Sequence, residues 1–155
     1  MLPRRNEVGP LQVLLRHVVE EPVLVRLEAA HDRVARGGGV VALHDAICGT
    51  NASSFKTILG GAKQHGVTNW SRGLMGLYVQ DSVHPITRGV SNFDLDDELF
   101  HQLHLQPGIQ VLGTTFHTPK EIIPQMWVYE KGRGRVFVSM KEERAMSSPF
   151  NPTRE

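Results

Sequence analysis

The chain has 155 residues, enough for one domain with a sizeable core, and its 40% hydrophobic and 21% charged residues are ordinary for a folded globular protein. Seventeen basic against sixteen acidic side chains leave a formal charge of +1, so no global field favours nucleic acid or an anionic membrane, and the expected partner is a small molecule or another protein. One cysteine, Cys48, excludes an internal disulfide framework and a zinc site built from cysteine pairs, and fits a reducing, cytoplasmic location.

Met1–Asn6 is basic, but Glu7, Gly9 and Pro10 interrupt it before any signal-type core, and no apolar run approaches the roughly 18–20 residues that span a bilayer. Leu11–Val19 is apolar enough for a strand or a short helix, which Pro22 ends. From Val23 to Arg36 the apolar positions Leu24, Leu27, Ala30 and Val34 recur at steps of three or four, which predicts an amphipathic helix closed by Gly37–Gly39. Val40–Leu43 then reads as a strand, and the helix–glycine–strand order is the αβ half of a right-handed βαβ unit. Cys48–Ser54 is rich in Gly, Thr, Asn and Ser and caps a helix beginning at Phe55–Leu59, a start that also suits an anion.

Gly60–Ser71 reads as a loop, Leu74–Val79 as a strand and His84–Gly89 as a loop ending in a turn. Phe93–His104 alternates acidic and apolar residues, as a short strand or an extended loop carrying carboxylates does. Gln110–Thr115, Gln125–Tyr129 and Arg135–Ser139 read as three strands, the last two joined by a KGRGR turn that suits a hairpin. The division expected is an ill-defined segment over 1–22, an α/β domain over 23–140 and a disordered, polar tail over 141–155.

The segment GGGVVALHDA at 37–46 carries the chemistry. An apolar run opening after glycines and closing on His44 and Asp45 is how a buried parallel strand delivers reactive groups to the carboxyl edge of an α/β sheet. His65 lies in a glycine-rich loop, His84 precedes a proline, and His101 follows Asp96, Asp97 and Glu98 at short spacing. Loops converging over the sheet edge would let His44, His65, Glu98 and His101 hold a divalent metal or share acid–base work on a polyol. The spacing matches no recognised metal motif and HExxH is absent, so the cofactor stays open.

Each feature has a plainer reading. Cys48 precedes a helix, where a thiolate is favoured, yet no GxCxG elbow surrounds it and a small, partly buried thiol accounts for it. Asp94, Asp96, Asp97 and Glu98 make a solvated face, unless burial of Leu95, Leu99 and Phe100 holds some of them close to the domain surface. Trp127 and Tyr129 alternate as core residues of a strand do, though a tryptophan at a pocket rim also stacks on sugars. Lys131, Arg133 and Arg135 form one basic cluster, most simply a solvated turn.

In their order, GGGVVALHDA (37–46), LGG (59–61) followed by His65, HPITRGV (84–90), FDLDDELFH (93–101) and WVYEKGRGRVFVS (127–139) resemble the ThuA-like, or trehalose-utilisation, family over roughly Leu27–Met140. The resemblance implies a flavodoxin-like, three-layer α/β sandwich with a mostly parallel sheet, similar to class I glutamine amidotransferases, and a role in sugar metabolism. In that comparison His44 stands where an amidotransferase has its elbow cysteine, which argues against glutaminase chemistry. Two departures imply a fold incomplete at both ends: the opening strand has little counterpart in Met1–Pro22, and KEERAMSSPFNPTRE replaces the usual Gly-His element and closing helix. Such a loss exposes apolar sheet and favours a homo-oligomer or aggregation.

The leading expectation is a protein that binds or acts on a small-molecule carbohydrate, with His44 as base or ligand, Asp45 orienting it, and His65, Glu98 and His101 adding acid–base groups. The alternatives are a non-catalytic domain or inactive fragment that keeps the fold, and thiol chemistry through Cys48.

Overall fold

The computed structural model describes residues 14–15, 21–49, 51–64 and 66–141. Its elements run β1 (Leu14–Leu15), α1 (Glu21–Ala35), β2 (Gly39–Leu43), a 3-10 turn (His44–Ile47), β3 (Cys48–Gly49), α2 (Ala52–Leu59), β4 (Gly61–Gln64), β5 (Asn69–Val79), β6 (Phe93–His101), β7 (His104–Leu105), β8 (Gln110–Thr118), β9 (Glu121–Lys131) and β10 (Gly134–Ser139). Seven strands form one sheet in the order β1-β2-β10-β9-β8-β5-β6, and β3-β4-β7 form a small second sheet.

The first half follows the sequence closely. Leu27, Ala30 and Val34 are the buried stripe of α1, and β1–α1–β2 is a βαβ unit with β1 parallel to β2. Asn51 caps α2 by accepting from the Ser54 N–H at 3.2 Å, so the helix opens three residues before Phe55. Gly60 ends it in the left-handed region at φ 78°, where its N–H reaches the Lys56 carbonyl. The stretch read as a loop over Gly60–Ser71 is instead β4 and the start of β5.

The expected flavodoxin-like sandwich is not what the chain builds. Among the described residues three strand pairs are parallel and five antiparallel. Connection length decides this. Two residues separate β8 from β9 and two separate β9 from β10, room for a hairpin and far short of the dozen or so residues a parallel crossover takes. The KGRGR hairpin was legible; it is the antiparallel β8–β9, β5–β8 and β5–β6 pairs added to it that rule out a mostly parallel sheet.

Both helices also cover one face. Val40, Ala42, Val136, Val138 and Trp127 point to that face and pack with Leu27, Ala30 and Val34 of α1 and with Ala52, Phe55, Ile58 and Leu59 of α2. Trp127 is fully buried there, its indole N–H donating to the Leu59 carbonyl at 3.0 Å. A Cβ at Gly134 would collide with the Val34 carbonyl and lie 2.6 Å from Val34 Cγ1, so the approach of α1 to β10 depends on that glycine. The opposite face has a much smaller core of Leu77, Leu95, Leu112 and Met126, contributed by strands alone. It is built as β5 and β6 curl back as a long hairpin, and no helix among the described residues covers it.

Candidate functional site

β2 is held between β1 and β10, and its parallel ladder with β10 ends at the pair Ser139–Leu43. His44, the next residue, turns the chain with φ 50°, a left-handed conformation that a non-glycine residue adopts only when its surroundings enforce it. The sharp strand-to-helix turn presents the imidazole at the carboxyl edge of the sheet, as sequence reasoning expected. Its Nε2 is buried, makes no hydrogen bond, and lies 3.3 Å from Glu98 Oε2.

Asp45 and Lys63 stand on the other side of the imidazole. Lys63 Nζ donates to Asp45 Oδ1 at 2.8 Å and sits 3.7 Å over the Phe100 ring, and Asp45 Oδ2 is 4.0 Å from His44 Nδ1. Phe100 meets His44 edge to face, with centroids 5.1 Å apart. Glu98 and Phe100 reach the site together because residues two apart on a strand share a face. The result is a mixed cluster of imidazole, two carboxylates and an ammonium on a fully buried aromatic base, still open enough for solvent to reach the polar groups.

Glu98 is held by its own backbone. Its N–H donates to Asp97 Oδ1 at 2.7 Å, and its carbonyl accepts from Lys141 Nζ at 2.8 Å. Lys141 is completely buried, with Asp97 Oδ2 at 3.9 Å and Met75 Sδ at 3.2 Å. Burial pushes its ammonium down to about 8, against the opposing pull of Asp97 and then Glu98. Lys141, placed at the head of a disordered tail by sequence reasoning, is therefore an interior residue; 142–155 lie outside the described residues.

The remaining candidates separate. His101 is on the β6 face opposite Glu98 and stacks on His117 of β8 at 4.0 Å. Desolvation, and then the neighbouring His117, hold its pKa below the ordinary histidine value, with Glu121 pulling the other way. His65 lies outside the described residues. Among the described residues no group of three or more His, Cys, Asp or Glu side chains is arranged to hold a metal ion. Cys48 is buried, and desolvation raises its thiol to about 11 against the pull of Lys63, which disfavours the thiolate at neutral pH.

Lys63 and Lys141 were missed: the first fell in a stretch read as loop, the second in a stretch read as tail. A groove of about 1280 Å³ lies at the opposite end of β2, lined by Arg33, Arg36, Arg133 and Arg135 together with His84 and Glu130. No helix among the described residues is long and apolar enough to cross a membrane.

A family model described as ThuA, trehalose utilisation, matches residues 19–141. No curated protein matches the chain. Among solved structures, a ThuA-like protein from Parabacteroides merdae ATCC 43184 superposes with a TM-score of 0.62 at 20% identity, over 80% of this chain and 56% of that one. A ThuA-like protein from Bacteroides uniformis ATCC 8492 gives 0.53 at 17% identity, over 79% and 57%. A catalytic mutant of a GH42 β-galactosidase from G. stearothermophilus gives 0.57 at 15% identity, over 83% of this chain and 18% of that enzyme. At these identities the likeness is one of fold, and the chain spans a little over half the length of the two ThuA-like structures.

Proposed function

Because the chain belongs to the ThuA trehalose-utilisation family, we propose that it serves the use of trehalose or a related sugar by binding the carbohydrate at the carboxyl end of β2. His44 would take a proton from a sugar hydroxyl at Nδ1, or return it, since its Nε2 is buried against Glu98. Glu98, 3.3 Å away, stabilises the imidazolium that forms. Lys63, steadied by Asp45, supplies a cationic donor for a hydroxyl or carbonyl oxygen of the same ring. The observation that carries this reading is the left-handed turn at His44, which sets its buried Nε2 3.3 Å from the Glu98 carboxylate at the end of β2.

The test is titration of the protein with trehalose, followed by calorimetry and by the imidazole resonances of His44. Binding is expected to shift those resonances. His44→Gln and Glu98→Gln are each expected to weaken binding about tenfold or more, as loss of a hydrogen bond to a charged group does. Unchanged affinity in both variants would remove the site assignment.

A further inference from the structure

The chain has two tryptophans on strands, and they are treated oppositely: Trp127 is fully buried while Trp70 is 58% exposed. An indole held in water forgoes the large apolar burial that makes tryptophan a core residue. Its position is set by the β5–β6 ladder, in which Trp70 stands directly opposite Phe100 and Arg72 directly opposite Glu98.

Directly opposed residues of an antiparallel pair point to the same face with Cβ atoms about 4.5–5.5 Å apart. Trp70 and Arg72 therefore flank Phe100 and Glu98, the two residues that reach His44. Arg72 lies along the strand with Nε 3.8 Å from Asp96 Oδ1, and more than half of each of these side chains is exposed. The site thus has a polar floor of His44, Asp45, Lys63 and Glu98 and, on the neighbouring strand β5, an exposed aromatic ring beside a guanidinium.

That combination matches one ligand chemistry. A pyranose presents a patch of C–H groups on one face, which packs on an indole, and hydroxyls around its edge, which accept from a guanidinium and donate to a carboxylate. We propose that Trp70 is the stacking platform of a pyranose subsite beside the His44–Glu98 pair, with Arg72 binding ring hydroxyls at its edge. The inference rests on the carbohydrate reading of that site and deepens it by assigning the residue that selects a closed sugar ring.

Trp127 is shielded, so acrylamide quenching of the full chain reports Trp70. Trehalose is expected to protect Trp70 from acrylamide, and arabinitol, an open-chain polyol without a ring face, is expected not to. Trp70→Ala should weaken trehalose binding about tenfold in calorimetry, while Trp70→Phe should stay within about threefold of the parent. Neither should shift the melting temperature, because the ring is exposed. Trehalose binding that depends on His44 but is unchanged in Trp70→Ala would overturn the subsite and leave the wider reading intact. Absence of any trehalose binding would overturn both. Concentration-dependent self-association that Trp70→Ala abolishes, with no protection by trehalose, would make the ring a contact between copies and overturn the subsite.

Discussion

The two faces of the main sheet are built by different rules. On one, two helices cover a continuous core drawn from α1, α2, β2, β9 and β10, into which Ala62 of β4 and Phe100 of β6 also pack. On the other, four buried side chains from β5, β6, β8 and β9 hold a curled hairpin in place. The candidate site takes His44 from the end of β2 and Glu98 from β6, a strand that lends Phe100 to the first core and Leu95 to the second. His44 is fixed by a strand paired on both sides, so its geometry comes with the fold. Glu98 depends on how the hairpin docks, and that docking rests on Phe100 in the large core, on the small core and on Lys141.

Substitutions that tell the two cores apart sharpen this contrast. Trp127→Ala empties the centre of the helix-covered face and orphans the Leu59 carbonyl, and is expected to cost about 3–5 kcal/mol in denaturant unfolding. Lys141→Met removes the cation that holds the Glu98 carbonyl and leaves the Asp97 carboxylate in the interior. Its expected cost at neutral pH is about 3 kcal/mol, the low end for breaking a buried ion pair. Leu95→Ala in the small core should cost about 2 kcal/mol, because a strand-only layer beside an exposed hairpin collapses more readily around a lost side chain. Amide exchange should then accelerate in β5 and β6 and not in β2 or β10. Uniform acceleration across the sheet would show that the two faces unfold as one unit and would break the comparison.

Lys141 also gives the hairpin a pH signature. Its folded pKa, about 8, lies below its ordinary value of 10.5, so between those limits the unfolded chain binds more protons than the folded one. Stability then rises with pH across that window: the penalty for burying the charge is fully present below about pH 8 and is lost as pH climbs to 10.5. Denaturant midpoints of the parent and of Lys141→Met, compared at pH 8 and pH 10, measure this term. The parent should gain relative to the variant at the higher pH, and a constant difference would deny the shift.

The same contrast explains what could be read from the sequence. Around β2 the signals are local: glycines, an apolar run and the residue after it place His44 correctly, and the spacing of Leu27, Ala30 and Val34 places α1. In the hairpin the decisive information is register, which pairs residues some thirty positions apart, such as Trp70 with Phe100. Glu98 was picked out within its acidic run, but His101 was grouped with it although strand alternation turns the two to opposite faces. Lys63 and Trp70 sit in GAKQHGVTNW, whose glycines and polar residues read as loop because neither strand there has an apolar alternation of its own. The parallel-sheet expectation failed at the same place, since it extended the rule of the first half across hairpins whose two-residue turns permit only antiparallel pairing.

Cys48 tests the smallest effect and the chemistry of the well-built face. It is paired in register with Lys63 across β3 and β4, so a cation stands near, and proximity alone would predict a reactive thiolate. Burial outweighs that cation and holds the thiol protonated to about pH 11. Iodoacetamide should therefore label the folded protein far more slowly than a denatured sample at pH 8. Labelling should become fast only where denaturant opens the fold, and Cys48→Ala should leave trehalose binding unchanged. Rapid labelling of the native chain at pH 7 would mean that the thiol is ionised beside Lys63, and would return nucleophilic chemistry to the site in place of the histidine–carboxylate pair.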